Sequence, residues 1–72
     1  MSTGHGHIER AVLKILRRRR NGTDALTLAC AVNETDAPNR SQLESVRRAL
    51  RNLHRQRLIT VTRERTVYRV AL

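Results

Sequence analysis

Between Arg57 and Ile59 the apolar residues stop recurring at helical spacing and begin to alternate, and this change of period is the strongest constraint on what the chain can fold into. Before the change, Leu43, Val46, Leu50 and Leu53 recur every three or four residues. At roughly 100° per residue they share one stripe with Arg57, while Ser41, Ser45, Arg48, Asn52 and Arg55 fall on the opposite side. After the change, Leu58 to Leu72 reads as a hairpin. With Glu64-Arg65 at its tip, Val61 lies opposite Tyr68 and Ile59 opposite Val70, so all four share one face, and Thr60, Thr62, Val67 and Arg69 take the other. Glu-Arg matches the glycine-rich two-residue turns poorly, which favours a wider loop at the tip.

The rest of the chain supplies what this helix and hairpin pack against. Residues 1–6 are small and polar and are expected to form a flexible tail. From about residue 7 to residue 20, Ile8, Ala11, Val12, Ile15 and Leu16 mark the buried face of a first helix, closed at Asn21-Gly22 by a left-handed glycine. Asp24-Ala25-Leu26 is placed as a short edge strand. Thr27 then reads as the N-cap of a second helix that ends near Asn33. Glu34 to Arg40 holds Asp36, Pro38 and Asn39 and is expected to be a loop. Ser41 and Glu44 have the spacing of a reciprocal capping box, which starts the third helix at Ser41 and runs it to about Arg57.

Seventy-two residues allow one small domain, here 7–72, which buries about 60% of the surface its unfolded chain exposes. With no Phe, no Trp and one Tyr, the core must come from Leu, Val, Ile and Ala. Its margin of stability should be roughly 3 to 5 kcal/mol. Fifteen basic residues stand against six acidic ones, for a net charge of +9, and this balance favours polyanionic partners. Fourteen of the fifteen are Arg, whose planar fork bonds phosphate or guanine through two N–H groups where Lys offers a point charge.

Helix, short strand, helix, helix, hairpin is the element order of the winged helix-turn-helix superfamily, and the chain resembles it across nearly its whole length. Ser45-Val46-Arg47-Arg48-Ala49-Leu50-Arg51-Asn52-Leu53, followed by Arg57-Leu58-Ile59, looks like the stretch that leads from recognition helix into wing in such regulators. The resemblance implies an α+β winged helix with three helices, a short edge strand and a C-terminal wing. Two departures stand out: the loop from Glu34 to Arg40 is longer than the tightest helix-turn-helix turn, and Arg57 replaces the usual glycine before the wing. Helix three is therefore expected to end without a left-handed glycine cap, or one residue sooner.

On this reading the protein is a small DNA-binding regulator, of transcriptional or phage or plasmid type, with helix 41–57 in the major groove. Ser41, Gln42, Ser45, Arg48 and Asn52 are the candidates to meet base edges, since an Arg fork suits guanine and Asn or Gln suits adenine. Arg40, Arg51 and Arg55 would flank them on phosphates, and Arg63, Arg65 and Arg69 of the wing would reach the neighbouring backbone or minor groove. Double-stranded DNA is the expected partner. RNA, or a protein partner that includes a second copy of the chain, is the rival.

Arg17 to Arg20 meets the negative end of the first helix dipole and needs no ligand to explain it. His5 and His7 lie on the expected tail, His54 at the edge of the buried stripe, and Cys30 in a short apolar helix as a small core residue. Asp24, Glu34 and Asp36 lack a partner base, and the chain contains no metal-ligand cluster, glycine-rich phosphate loop or nucleophile elbow. No enzymatic activity, cofactor or metal is expected. A single cysteine excludes an internal disulfide, and no apolar run approaches the roughly 18 residues of a membrane span. The expectation is a cytoplasmic protein, on the nucleoid when bound to DNA.

Overall fold

Three helices precede an antiparallel hairpin, and every helix begins before its expected start. A computed structural model describes residues 4–62 and 66–71, with α1 at Gly4–Arg18, α2 at Ala25–Asn33, α3 at Arg40–Arg55, β1 at Ile59–Thr62 and β2 at Val67–Val70. Among the described residues no helix is long and apolar enough to cross a membrane.

α1 buries Val12 and Leu16 completely and packs Ile8, Leu13 and Ile15 around them. Its first residue is Gly4, so 4–6, expected as tail, are helical: adding a turn to an existing helix is far easier than nucleating one. At its other end the helix stops at Arg18, short of residue 20, and the Arg19 N–H is shared between the carbonyls of Ile15 (3.0 Å) and Leu16 (3.2 Å). Gly22 does have a positive φ, +102°, but it lies beyond the last turn and meets the hairpin: a Cβ there would run into Val67 Cγ1 and crowd Arg69. This contact also explains why Val67, expected on an open face, is half-buried.

The expected strand at Asp24-Ala25-Leu26 is replaced by a single bridge one residue earlier. Thr23 and Tyr68 exchange both backbone hydrogen bonds, at 3.0 and 2.9 Å, so the element adds one rung to the edge of the hairpin. Asp24, in extended conformation, is the N-cap of α2, and its Oδ1 accepts from the Thr27 N–H at 2.9 Å. Thr27 is thus the third residue of the helix and not its cap, and Ala25, Leu28, Ala29 and Val32 form the inward stripe. Hydrogen bonds from the Thr27 side chain and then its backbone hold the Asp24 carboxyl below its ordinary value of 3.8, against a smaller opposing effect of burial.

α2 closes through Glu34, left-handed at φ +51°, with the Glu34 and Thr35 N–H groups both on the Cys30 carbonyl. Pro38 then leads into the true cap of α3. Asn39 Oδ1 accepts from the Gln42 N–H at 2.8 Å, and Gln42 Oε1 accepts from the Asn39 N–H at 2.9 Å. The capping box is therefore Asn39–Gln42 and not Ser41–Glu44. Both have the required spacing, but only the earlier frame follows the extended backbone at Pro38-Asn39.

Val46, Ala49, Leu50 and Leu53 of α3 are buried and Leu43 is half-buried, packed on α1, α2 and β1. Each fully buried leucine or valine stabilises the fold by about 1.5–3 kcal/mol over leaving it exposed. The helix ends at Arg55, not Arg57, in a Schellman turn: the Arg57 N–H bonds the His54 carbonyl and the Leu58 N–H the Leu53 carbonyl, both at 3.0 Å. Arg57 itself takes the left-handed conformation, φ +64°, so its side chain leaves the apolar stripe and is exposed.

The hairpin has the expected register, Ile59 opposite Val70 and Val61 opposite Tyr68. Ile59 is buried, and Tyr68 and Val70 pack against the same core. Thr60, Thr62 and Arg69 are exposed on the other face. The expected tip at Glu64-Arg65 lies outside the described residues.

Candidate functional site

α3 is pinned by one face and free on the other. Because Val46, Ala49, Leu50 and Leu53 lock one side into the core, helical geometry projects Arg48 and Arg55 almost directly outward, with Ser41 about two turns before Arg48 near the same line. Arg40, Arg47 and Arg51 flank that line and are exposed. None of the side-chain hydrogen bonds among the described residues uses an arginine guanidinium.

Two features of the face sharpen its electrostatics. Arg40 sits in the first turn of α3, which contains no acid, so a positive charge lies at the positive end of the helix dipole. An anion bound beside it would reverse that unfavourable arrangement. Glu44 is exposed among the arginines, since the capping box does not use it. It is the only carboxylate on α3, four residues from both Arg40 and Arg48.

The structure divides the sequence candidates. Ser41, Ser45 and Arg48 are exposed on the outward side, with Arg40, Arg51 and Arg55 beside them. Gln42 does not join them, because its side chain is bound back to Asn39. Asn52 is half-buried and donates through Nδ2 to Glu9 Oε2 at 3.3 Å, tying α3 to α1. Arg69 is exposed on the outward face of β2, and Arg63 and Arg65 lie outside the described residues. Arg47 was absent from the candidates, yet it stands exposed next to Val46; its position just off the edge of the apolar stripe was the available signal.

Residues outside this face offer less. His54 is exposed, at the edge of the buried stripe. Cys30 is half-buried, not in the core, and its Sγ–H points to the Asp36 carbonyl at 3.8 Å across an open depression that Arg19, Glu34 and Thr35 also line. Among the described residues no group of three or more His, Cys, Asp or Glu side chains is placed to hold a metal ion. No family model, curated protein or solved structure matches this chain.

Proposed function

We propose that this protein is a DNA-binding regulator of the winged helix-turn-helix kind, which sets α3 into the major groove and lays the hairpin, as its wing, on the neighbouring backbone. The observation that carries the reading is the outward face of α3: five exposed arginines on a helix held rigidly by its buried side, with guanidinium groups that no side-chain hydrogen bond among the described residues uses. A rigid helix of about 10–12 Å diameter fits the major groove, which is about 12 Å wide.

Within this reading Arg48 and Ser45 face the base edges, and Arg40, Arg47, Arg51 and Arg55 flank them on phosphates. Gln42 and Asn52 drop out as readers because they serve the cap and the α1 contact. Glu44 gains a role instead: a carboxylate among arginines accepts from a cytosine amino group and opposes loose binding to phosphate. Tyr68, packed on the core, is no stacking platform for single strands, which weighs against single-stranded RNA.

Selection from a random duplex library at moderate salt tests the proposal, and a recovered motif is the expected result. Arg48→Ala should then cost roughly 1–3 kcal/mol on that motif and relax preference at one base pair. An equal loss on random duplex would make Arg48 a phosphate contact, and tighter retention of structured RNA at matched salt would overturn the assignment to DNA. Leu26, 55% exposed on α2, gives dimerisation its foothold. Light scattering decides that question, since a dimer reading DNA requires half-sites about 10 base pairs apart.

A further inference from the structure

α1 carries a second cationic face that the proposed use of α3 leaves idle. Arg10, Lys14, Arg17 and Arg18 are all exposed, and at roughly 100° per residue they fall in a single stripe opposite Val12 and Leu16. Only Arg17 and Arg18 belong to the last turn, where the helix dipole favours them; Arg10 and Lys14 lie in the helix interior. Arg10 with Lys14, and Lys14 with Arg17 and Arg18, are like-charge neighbours at spacings of three and four residues, which destabilises the helix unless an anion intervenes. The one acid of α1, Glu9, does not relieve them, because it is half-buried and turned toward Asn52 of α3.

The direction of this stripe matters as much as its charge. α1 and α3 bury their apolar sides in one core, so their cationic faces point away from each other across a molecule measuring 30 × 26 × 20 Å. A straight duplex seated on α3 leaves the α1 face open to solvent. We propose that the outward face of α1 is a second duplex-binding surface, so that one molecule holds two DNA segments at once. The inference rests on the reading of α3 as the first DNA face. Contacts at the α1 face are to phosphates, for which its Arg and Lys side chains are suited.

A bridging assay separates this second face from the first: a bead-tethered duplex is loaded with the full chain, and capture of a free labelled duplex is measured beside the Kd for a single short duplex. Wild type should capture the second duplex. Combined Arg10→Gln, Lys14→Gln, Arg17→Gln and Arg18→Gln should keep the single-duplex Kd within about threefold but lower capture about tenfold, an effect that shrinks with added salt. The pair Arg10→Gln and Lys14→Gln, which removes repulsion inside α1 and leaves its dipole end intact, should fold and lose capture partially.

Capture by the fourfold variant equal to that of wild type, or no capture by a wild-type protein that binds the tethered duplex, overturns the proposal. Arg48→Ala, Arg51→Ala and Arg55→Ala combined should instead weaken single-duplex binding by about tenfold or more, leaving the salt-sensitive phosphate contacts of the α1 face. If that variant binds as wild type does, the α3 reading fails, while the fourfold variant still reports on α1.

Discussion

Gly22 and Arg57 both carry the chain through a positive φ on its way from a helix to the sheet edge, at +102° and +64°, yet the two turns are held for different reasons. Gly22 is a packed joint. Its missing side chain is the space into which Val67 and Arg69 fit, and it is followed at once by the Thr23 bridge and the Asp24 cap. Arg57 is a backbone turn. Two hydrogen bonds from Arg57 and Leu58 back to α3 impose its conformation, and its side chain is exposed. The first connection thus depends on which residues occupy it and the second mainly on where its N–H groups point.

The largest effect is expected at the packed joint. Gly22→Ala would place a Cβ against Val67 Cγ1 and hold a non-glycine residue in strained backbone, costing about 2–4 kcal/mol. In a domain of this size that approaches the whole stability, so a urea midpoint near zero is the expected readout. Adding Val67→Ala should restore part of the loss by removing the steric share while leaving the backbone share. A Gly22→Ala protein as stable as wild type would mean that the hairpin does not close on this turn.

A smaller effect belongs to Asp24, two residues on. Asp24→Ala should cost about 1 kcal/mol by removing the acceptor for the Thr27 N–H. The carboxyl is held below its ordinary 3.8 in the folded state, so its contribution is complete above that value and fades as pH falls through the lowered one. Thermal melts of wild type and variant should therefore differ near neutral pH and draw together as the pH falls through the lowered value. A gap that persists unchanged in acid would assign the cap to the neutral carboxyl.

The same contrast explains what could be read from the amino-acid order. The hairpin register was legible because alternation leaves only one pairing that puts Ile59, Val61, Tyr68 and Val70 on a common face, and a one-residue slip would expose all of them. The inward face of α3 was legible for the matching reason at period 3.6. Helix starts were not, because Asn39–Gln42 competes with Ser41–Glu44, and Asp24 with Thr27, at differences of about 1 kcal/mol that neighbouring backbone decides. The exposed arginines of the candidate site followed from the same helical geometry. The diversion of Asn52 to Glu9 did not, because it joins residues far apart in the chain and exists only once α1 and α3 are packed.

Arg57→Gly is the smallest change and the one that most directly separates the two connections. Relieving left-handed strain on a side-chain-bearing residue gains about 1–2 kcal/mol, and the greater freedom of glycine in the unfolded chain takes back about 0.5–1 kcal/mol. A net stabilisation of up to about 1.5 kcal/mol follows, visible as a higher urea midpoint at unchanged m value. The substitution also removes one exposed charge without touching the outward face of α3. If Arg57 reads no base, the recovered DNA motif stays the same while affinity falls no more than a single phosphate contact allows, with a salt slope lower by at most about 0.9. A destabilised Arg57→Gly protein would instead show that the Arg57 side chain packs on the hairpin, making the second connection a joint like the first.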